Sequence, residues 1–224
     1  MAKKVFLSAG HGGSDPGAVG NNLKEKDINL NILLACKDEL ERHGVKVICS
    51  RTKDENDPVA DEVKEANKSG AKIALSFHTN AGGGDGSETY YYTSSAEGKK
   101  LAQLCEKHVK AIGQNSRGIK SGNHLYFVNG TSMVAVLCEC AFVDNKTDKK
   151  IIDTKAEQQA FGVAYAKAAL EYLGIKYKAP TKTVYKVMVQ PIPKEKQLGA
   201  FTKKANATKM LNDLKKLGIE AKIK

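Results

Sequence analysis

Short apolar runs alternate along this chain with longer segments whose apolar residues recur at helical spacing, and the alternation persists to Gly174. Lys4 to Ala9, Val45 to Ser50, Ile73 to Phe77, Glu88 to Tyr92, Leu125 to Val128 and Val134 to Glu139 read as strands. Between them, Glu25 to His43, Pro58 to Ser69, Ser95 to Ile112 and Lys155 to Leu173 read as helices. In the first helix Ile28, Ile32, Leu33, Cys36 and Leu40 form one stripe, and Gly44 stops it. Parallel strands need crossovers long enough to hold a helix. The pattern therefore predicts an α/β fold, a mostly parallel twisted sheet with helices on both faces.

Past Gly174 the composition shifts to Lys, Tyr, Ala, Pro and Thr without an apolar period, so residues 175–183 are expected to be a linker between a domain at 1–174 and a segment at 184–224. In that segment Val184 to Val189 alternates, Ala205 to Leu217 keeps Met210, Leu211, Leu214 and Leu217 on one side, and Ile219, Ala221 and Ile223 alternate again. This predicts a small β-α-β unit. At that size it buries too little to stand alone, which implies docking or pairing with a second copy as a homodimer.

Two of the apolar runs end in histidine and then run into glycine: Gly10-His11-Gly-Gly and His78-Thr-Asn-Ala-Gly. Such turns cannot bury an imidazole, and strand ends of open α/β sheets are where ligands bind. Glu25 begins the first helix and Glu139 ends the run from Val134. Taken alone, Glu25 reads as a carboxylate complementing a helix dipole. In company with His11 and His78 it becomes a candidate ligand, because two neutral imidazoles and one carboxylate hold Zn2+ while leaving a position for water. Glu139 is then the candidate acid–base group. His43, His108 and His124 read as surface or packing residues, although His124 is near enough in sequence to Glu139 to line a cleft.

The five cysteines lie within apolar patterns, as expected of reduced, buried thiols; Cys138 and Cys140 should share a face opposite to Glu139. A net charge of +11 predicts attraction to a polyanion. The sequence carries no nucleic-acid signature, so nucleic acid is not expected as a partner, and anionic wall polymers fit the charge equally well. No apolar run is long enough to span a membrane. Met1-Ala-Lys-Lys leads straight into a strand with no secretory signal, so synthesis in the cytoplasm is expected, with any external substrate reached after release.

Four motifs, Gly10-His11-Gly-Gly-Ser-Asp-Pro-Gly-Ala18, Glu25-Lys-Asp27, Ser76-Phe-His78-Thr-Asn80 and Val136-Leu-Cys-Glu139-Cys-Ala-Phe-Val-Asp-Asn145, occur in that order. Together, over residues 3–173, they resemble the zinc-dependent N-acetylmuramoyl-L-alanine amidases of the type 3 class. The resemblance implies zinc ligands at His11, Glu25 and His78, a catalytic Glu139, and hydrolysis of the bond joining N-acetylmuramic acid to L-alanine in peptidoglycan. Ser8, Val134 and Ala141 stand where that family often has Asp, Pro and Gly. The segment with Tyr185-Lys-Val-Met-Val189, Leu198-Gly-Ala-Phe201 and Leu214-Lys-Lys-Leu-Gly218 resembles half of a SPOR repeat, a module associated with peptidoglycan binding. Pro191 to Gln197 interrupts that pattern. The resemblance implies either a phage endolysin freed through a holin or an autolysin acting at mother-cell lysis. The competing expectations are a non-catalytic wall-binding protein and a zinc peptidase acting within the stem peptide.

Overall fold

The computed structural model describes residues 3–180, 185–189, 196–217, 219 and 221–223. They form two compact units, residues 1–177 and 178–224. In the first unit the chain runs β1 (Lys4–Ala9), β2 (Val19–Gly20), β3 (Leu23–Lys24), α1 (Glu25–Arg42), β4 (Lys46–Cys49), α2 (Val59–Ser69) and β5 (Ile73–Asn80). It continues with β6 (Ser87–Tyr91), α3 (Ala96–Lys110), β7 (Ser116–Ser121), α4 (Tyr126–Gly130), β8 (Val134–Phe142), α5 (Lys146–Ile152) and α6 (Lys155–Tyr172).

Six strands make one sheet in the order β4-β1-β5-β8-β6-β7. The pairs β4–β1, β1–β5 and β5–β8 are parallel, as the alternation requires, while β6 runs antiparallel to β8 and β7 follows β6. The sheet is therefore mostly parallel with a reversed pair at one edge. That reversal brings the N-terminal ends of β6 and β7 to the same edge as the C-terminal ends of β1, β5 and β8.

Strand alternation sorts the core into two layers. Val5, Leu7, Leu75, Phe77, Val136 and Cys138 join the inner faces of α1, α3 and α6 in one cluster. Phe6, Ala74 and Ala135, one residue out of step, pack with Val63 and Ala66 of α2 and Phe127 of α4. Cys138 and Cys140 both sit in the first layer, fully buried, and Glu139 between them points to the second. Helix ends follow local chemistry: Thr154 and Glu157 form a capping box at the start of α6, and Gly70 closes α2 in the left-handed conformation.

One local reading is corrected, and one further strand appears. Leu125 to Val128, expected as a strand, is Leu125 followed by the short helix α4; a brief apolar run has no period that separates the two states, and here the helix covers Phe6 and Ala135. The Gly- and Ser-rich stretch before Asn123 holds β7, an edge strand with one apolar residue, Ile119, held by pairing with β6. The second unit also gains an element. Beside β9 (Tyr185–Val189), α7 (Lys204–Lys216) and β11 (Ala221–Ile223) it contains β10 (Lys196–Phe201), giving an antiparallel sheet in the order β10-β9-β11. Of the expected interruption at Pro191 to Gln197, residues 191–195 lie outside the described residues, and Lys196 and Gln197 open β10.

Candidate metal centre

The carboxyl edge of the sheet gathers four of the sequence candidates. His11 follows β1 in a turn so tight that it takes φ = 66°, a left-handed conformation that costs a non-glycine residue about 1 kcal/mol or more. Its imidazole is thereby aimed at the first residue of α1, and its Nε2 lies 3.3 Å from Glu25 Oε2. His78, near the end of β5, reaches the other oxygen, with Nδ1 3.0 Å from Glu25 Oε1. One ligand atom from each of His11, Glu25 and His78 can be chosen so that all lie within 4.8 Å of one another. Ligands at tetrahedral corners about 2.0–2.1 Å from a zinc ion lie about 3.3 Å apart, so the donor set and its spacing fit that ion.

The chain around these groups holds them in place. His11 Nδ1 contacts Asp15 Oδ2 at 2.8 Å, which leaves Nε2 for the centre. Glu25 accepts the backbone N–H groups of Ala18 at 2.8 Å and Thr79 at 3.0 Å, and the Asn29 side chain at 3.3 Å. Asn29 also donates to Gly10 O and accepts from the Thr79 hydroxyl. Glycine is required twice here: a Cβ on Gly10 would run into the His78 ring, and one on Gly17 would meet both Glu25 and His11. Arg51, 2% exposed, donates Nε to Ala9 O, one terminal nitrogen to Lys26 O and the other to Lys53 O, tying the end of β1 to the start of α1.

Electrostatics follow from this packing. Burial raises the Glu25 carboxyl, but hydrogen bonds from His11, His78 and the Thr79 N–H outweigh it and hold the group well below the usual carboxylate range. Hydrogen bonding to Glu25, opposed by burial and reinforced by Asp15, raises His11 to about 9. In the metal-free protein a proton on His11 thus stands where a cation would sit. Burial pushes Glu139 up to about 7, with His78 pulling it down and Glu25 and Glu88 pushing it up. Its Oε2 is sealed and makes no hydrogen bond among the described residues. An unpartnered buried carboxylate oxygen costs stability and is kept where chemistry uses it.

Glu139 lies directly across from His78 on β5 and from Glu88 on β6, all on one face of the sheet. Beside them is a cleft of about 310 Å³ lined by His11, His78, Glu62, Leu137 and residues of α2 and α4. Glu62, 2% exposed, accepts the Ser8 hydroxyl at 2.6 Å, and burial raises its carboxyl. Sequence reasoning missed Glu62, Glu88, Asn29 and Arg51. The visible signal was slight: Asn29 interrupts an apolar stripe four residues after Glu25, and Glu62 sits on the buried face of α2 beside Val63. The other histidines stay outside the cluster. His43 contacts Glu39 O and stacks on Tyr177, His108 contacts Glu171, and His124 lies edge-on to Tyr90 with ring centres 6.1 Å apart.

Comparison with known proteins gives this geometry a family. The sequence profile of N-acetylmuramoyl-L-alanine amidases matches residues 5–171, the whole sheet and its helices. The chain belongs to that family. The sporulation-specific N-acetylmuramoyl-L-alanine amidase of Bacillus subtilis is 33% identical over 222 residues, covering 97% of this chain and 83% of that protein. The endolysin of Bacillus phage SPP1 is 37% identical over 188 residues, covering 80% of this chain and 69% of the endolysin. Among solved amidases, the catalytic domain of CwlV from Bacillus (Paenibacillus) polymyxa superposes with a TM-score of 0.72 at 31% identity, over 78% of this chain and 99% of that domain.

Proposed function

We propose that this chain hydrolyses the amide between N-acetylmuramic acid and L-alanine in peptidoglycan, with zinc held by His11, Glu25 and His78 and with Glu139 as acid and base. The amidase activity follows from the family, whose profile spans residues 5–171. The observation that supports the metal mechanism is the meeting of three donors, from the turn after β1, the start of α1 and β5, beside a carboxylate whose buried Oε2 makes no hydrogen bond among the described residues.

When bound, zinc would supply a Lewis acid for the amide carbonyl and a water of lowered pKa. The protein's own groups do the rest. Glu139, in its ionised form, accepts a proton from the attacking water as the C–O bond forms, and delivers it to the alanine nitrogen as the C–N bond breaks. The products are a lactyl carboxylate on the sugar and a free amine on the peptide. Asp15, Asn29 and the Ala18 and Thr79 amides fix the ligands so that little reorganisation accompanies the step.

The setting we infer is lysis from within. The sporulation amidase relative aligns over both units of this chain, which favours an autolysin acting at mother-cell lysis over a phage endolysin. The C-terminal unit is inferred to hold the enzyme on the wall. Its α7 exposes Lys204, Lys209, Lys215 and Lys216, a surface suited to anionic wall polymers.

The deciding experiment incubates purified protein with isolated cell walls, with and without a chelator, and weighs the products. Intact stem peptides separated from glycan, formed only without chelator and restored by zinc, are the expected result. Stems shortened at their C-terminal ends would replace this reading with a peptidase, and binding without any product would leave a wall-binding protein.

A further inference from the structure

Strand β7 carries two cations, Arg117 and Lys120, that face Glu88 of β6, the strand neighbour of Glu139. Glu88, buried on β6 and directly opposite Glu139, receives Arg117 Nε at 3.4 Å and Lys120 Nζ at 3.8 Å, both on Oε2, while Asn80 donates to Oε1 at 3.2 Å. One carboxylate thus faces two cations, each with its nearest approach to Oε2. Both basic side chains remain about two-fifths exposed, at 40% for Arg117 and 42% for Lys120. The Arg117 guanidinium lies over the Phe142 ring, 5.2 Å from its centre, and its nearest approach to Glu88 is through Nε. The ring and the carboxylate thus preset its orientation, while its side chain stays two-fifths exposed to a further partner.

The opposite flank of the centre has the reverse character. Beyond His11 and His78, its cleft is lined by Asp15, Asp57 and Glu62 together with apolar residues such as Val59 and Leu137 and the half-exposed Tyr126. That surface repels a carboxylate and suits an uncharged ring rich in hydroxyls. The amide named above has such a polarity: the sugar side is neutral, because its lactyl carboxyl is tied up in the bond, whereas the peptide side carries free carboxylates.

We propose that Arg117 and Lys120 form a subsite for a free carboxylate of the stem peptide, so that the peptide crosses β6 and β7 while the sugar occupies the cleft by α2 and α4. The proposal rests on the amidase reading and adds a substrate orientation to it. Two strand spacings separate β8 from β7, about 10 Å, and one extended residue beyond the scissile bond covers about 3.5 Å. The arginine side chain, already bent back to Glu88, spans the remainder.

The test uses defined muropeptides whose stem carboxyls are either free or converted to carboxamides, with the full chain loaded with zinc. A charge-assisted arginine–carboxylate contact predicts that kcat/KM favours the free acids by about tenfold, mostly through KM. Arg117→Gln with Lys120→Gln should abolish that preference, read within each variant as the ratio of kcat/KM for the free acid to that for the carboxamide. Lys120→Met alone, which keeps Glu88 paired with Arg117, should reduce it. Glu88→Gln should move KM for the free acids the other way, downward. Equal loss on both substrates in the variants, or no discrimination by the parent, overturns the subsite and leaves the amidase intact. No cleavage of either substrate by the parent overturns the amidase reading and the subsite with it.

Discussion

His78 on β5 and Glu139 on β8 stand side by side in register on neighbouring parallel strands, one step before the pairing slips between His78 and Asn80. A parallel ladder puts such neighbours on one face, about 4.8 Å apart at the backbone, and the irregularity that follows ends regular pairing at the centre. The candidate metal ligand and the candidate acid–base group are therefore set by the same pair of strands, which separates their roles cleanly in mutants.

Glu139→Gln is expected to lower kcat by about 10²–10⁴-fold while bound zinc per chain stays unchanged. Because Glu139 Oε2 makes no hydrogen bond and burial disfavours its charge, the variant should melt no lower than the parent. Zinc analysis, wall hydrolysis and thermal melting of the same preparation check all of this, and unchanged activity would remove Glu139 from the mechanism.

His11→Ala and His78→Ala should each lose the metal itself. Asp15→Asn keeps a hydrogen-bonding side chain but removes the charge that orients His11, and should weaken zinc affinity by about 10–100-fold, with activity recovered at excess zinc. Competition with a chromophoric chelator measures the affinities.

Metal-free protein should lose stability as pH rises from 6.5 to about 9. His11 is raised above its ordinary value, so the folded state holds its proton longer than the unfolded chain does. This contribution is complete below 6.5 and gone above about 9. The same proton must leave before zinc binds, so zinc affinity should rise with pH over that interval. Melting curves of chelator-treated protein that move upward across that range would contradict the sign.

Hydrolysis should rise with pH as Glu139 ionises. Its midpoint in the metal-free protein is about 7, and a bound cation beside it would draw the midpoint lower. A rate profile that falls on passing from pH 5 to 7 would exclude a carboxylate base.

Arg51→Met should destabilise the fold by about 2–4 kcal/mol, since it strips a partner from the buried carbonyl of Ala9 and from the partly buried ones of Lys26 and Lys53. Denaturant unfolding measures the cost. Zinc affinity should fall with it, because the Ala9 and Lys26 carbonyls flank His11 and Glu25 in the chain.

What the sequence by itself determined was everything carried by local order: the strand–helix alternation, the two apolar runs ending at His11 and His78, and the position of Glu25 in the first turn of its helix. These depend on periodicity and turn chemistry, which act between near neighbours. Only the tertiary structure decided that β6 runs against β8, because the direction of a strand is set by long-range pairing, and that choice put Glu88 next to Glu139, with Arg117 and Lys120 on the far side of Glu88. The helix over 126–130 belongs to the same class, since Leu-Tyr-Phe-Val has no period of its own and takes its state from the surface it covers. So do the raised Glu139 and the buried Glu62: a carboxylate's charge depends on how much water is removed around it, and only packing removes water.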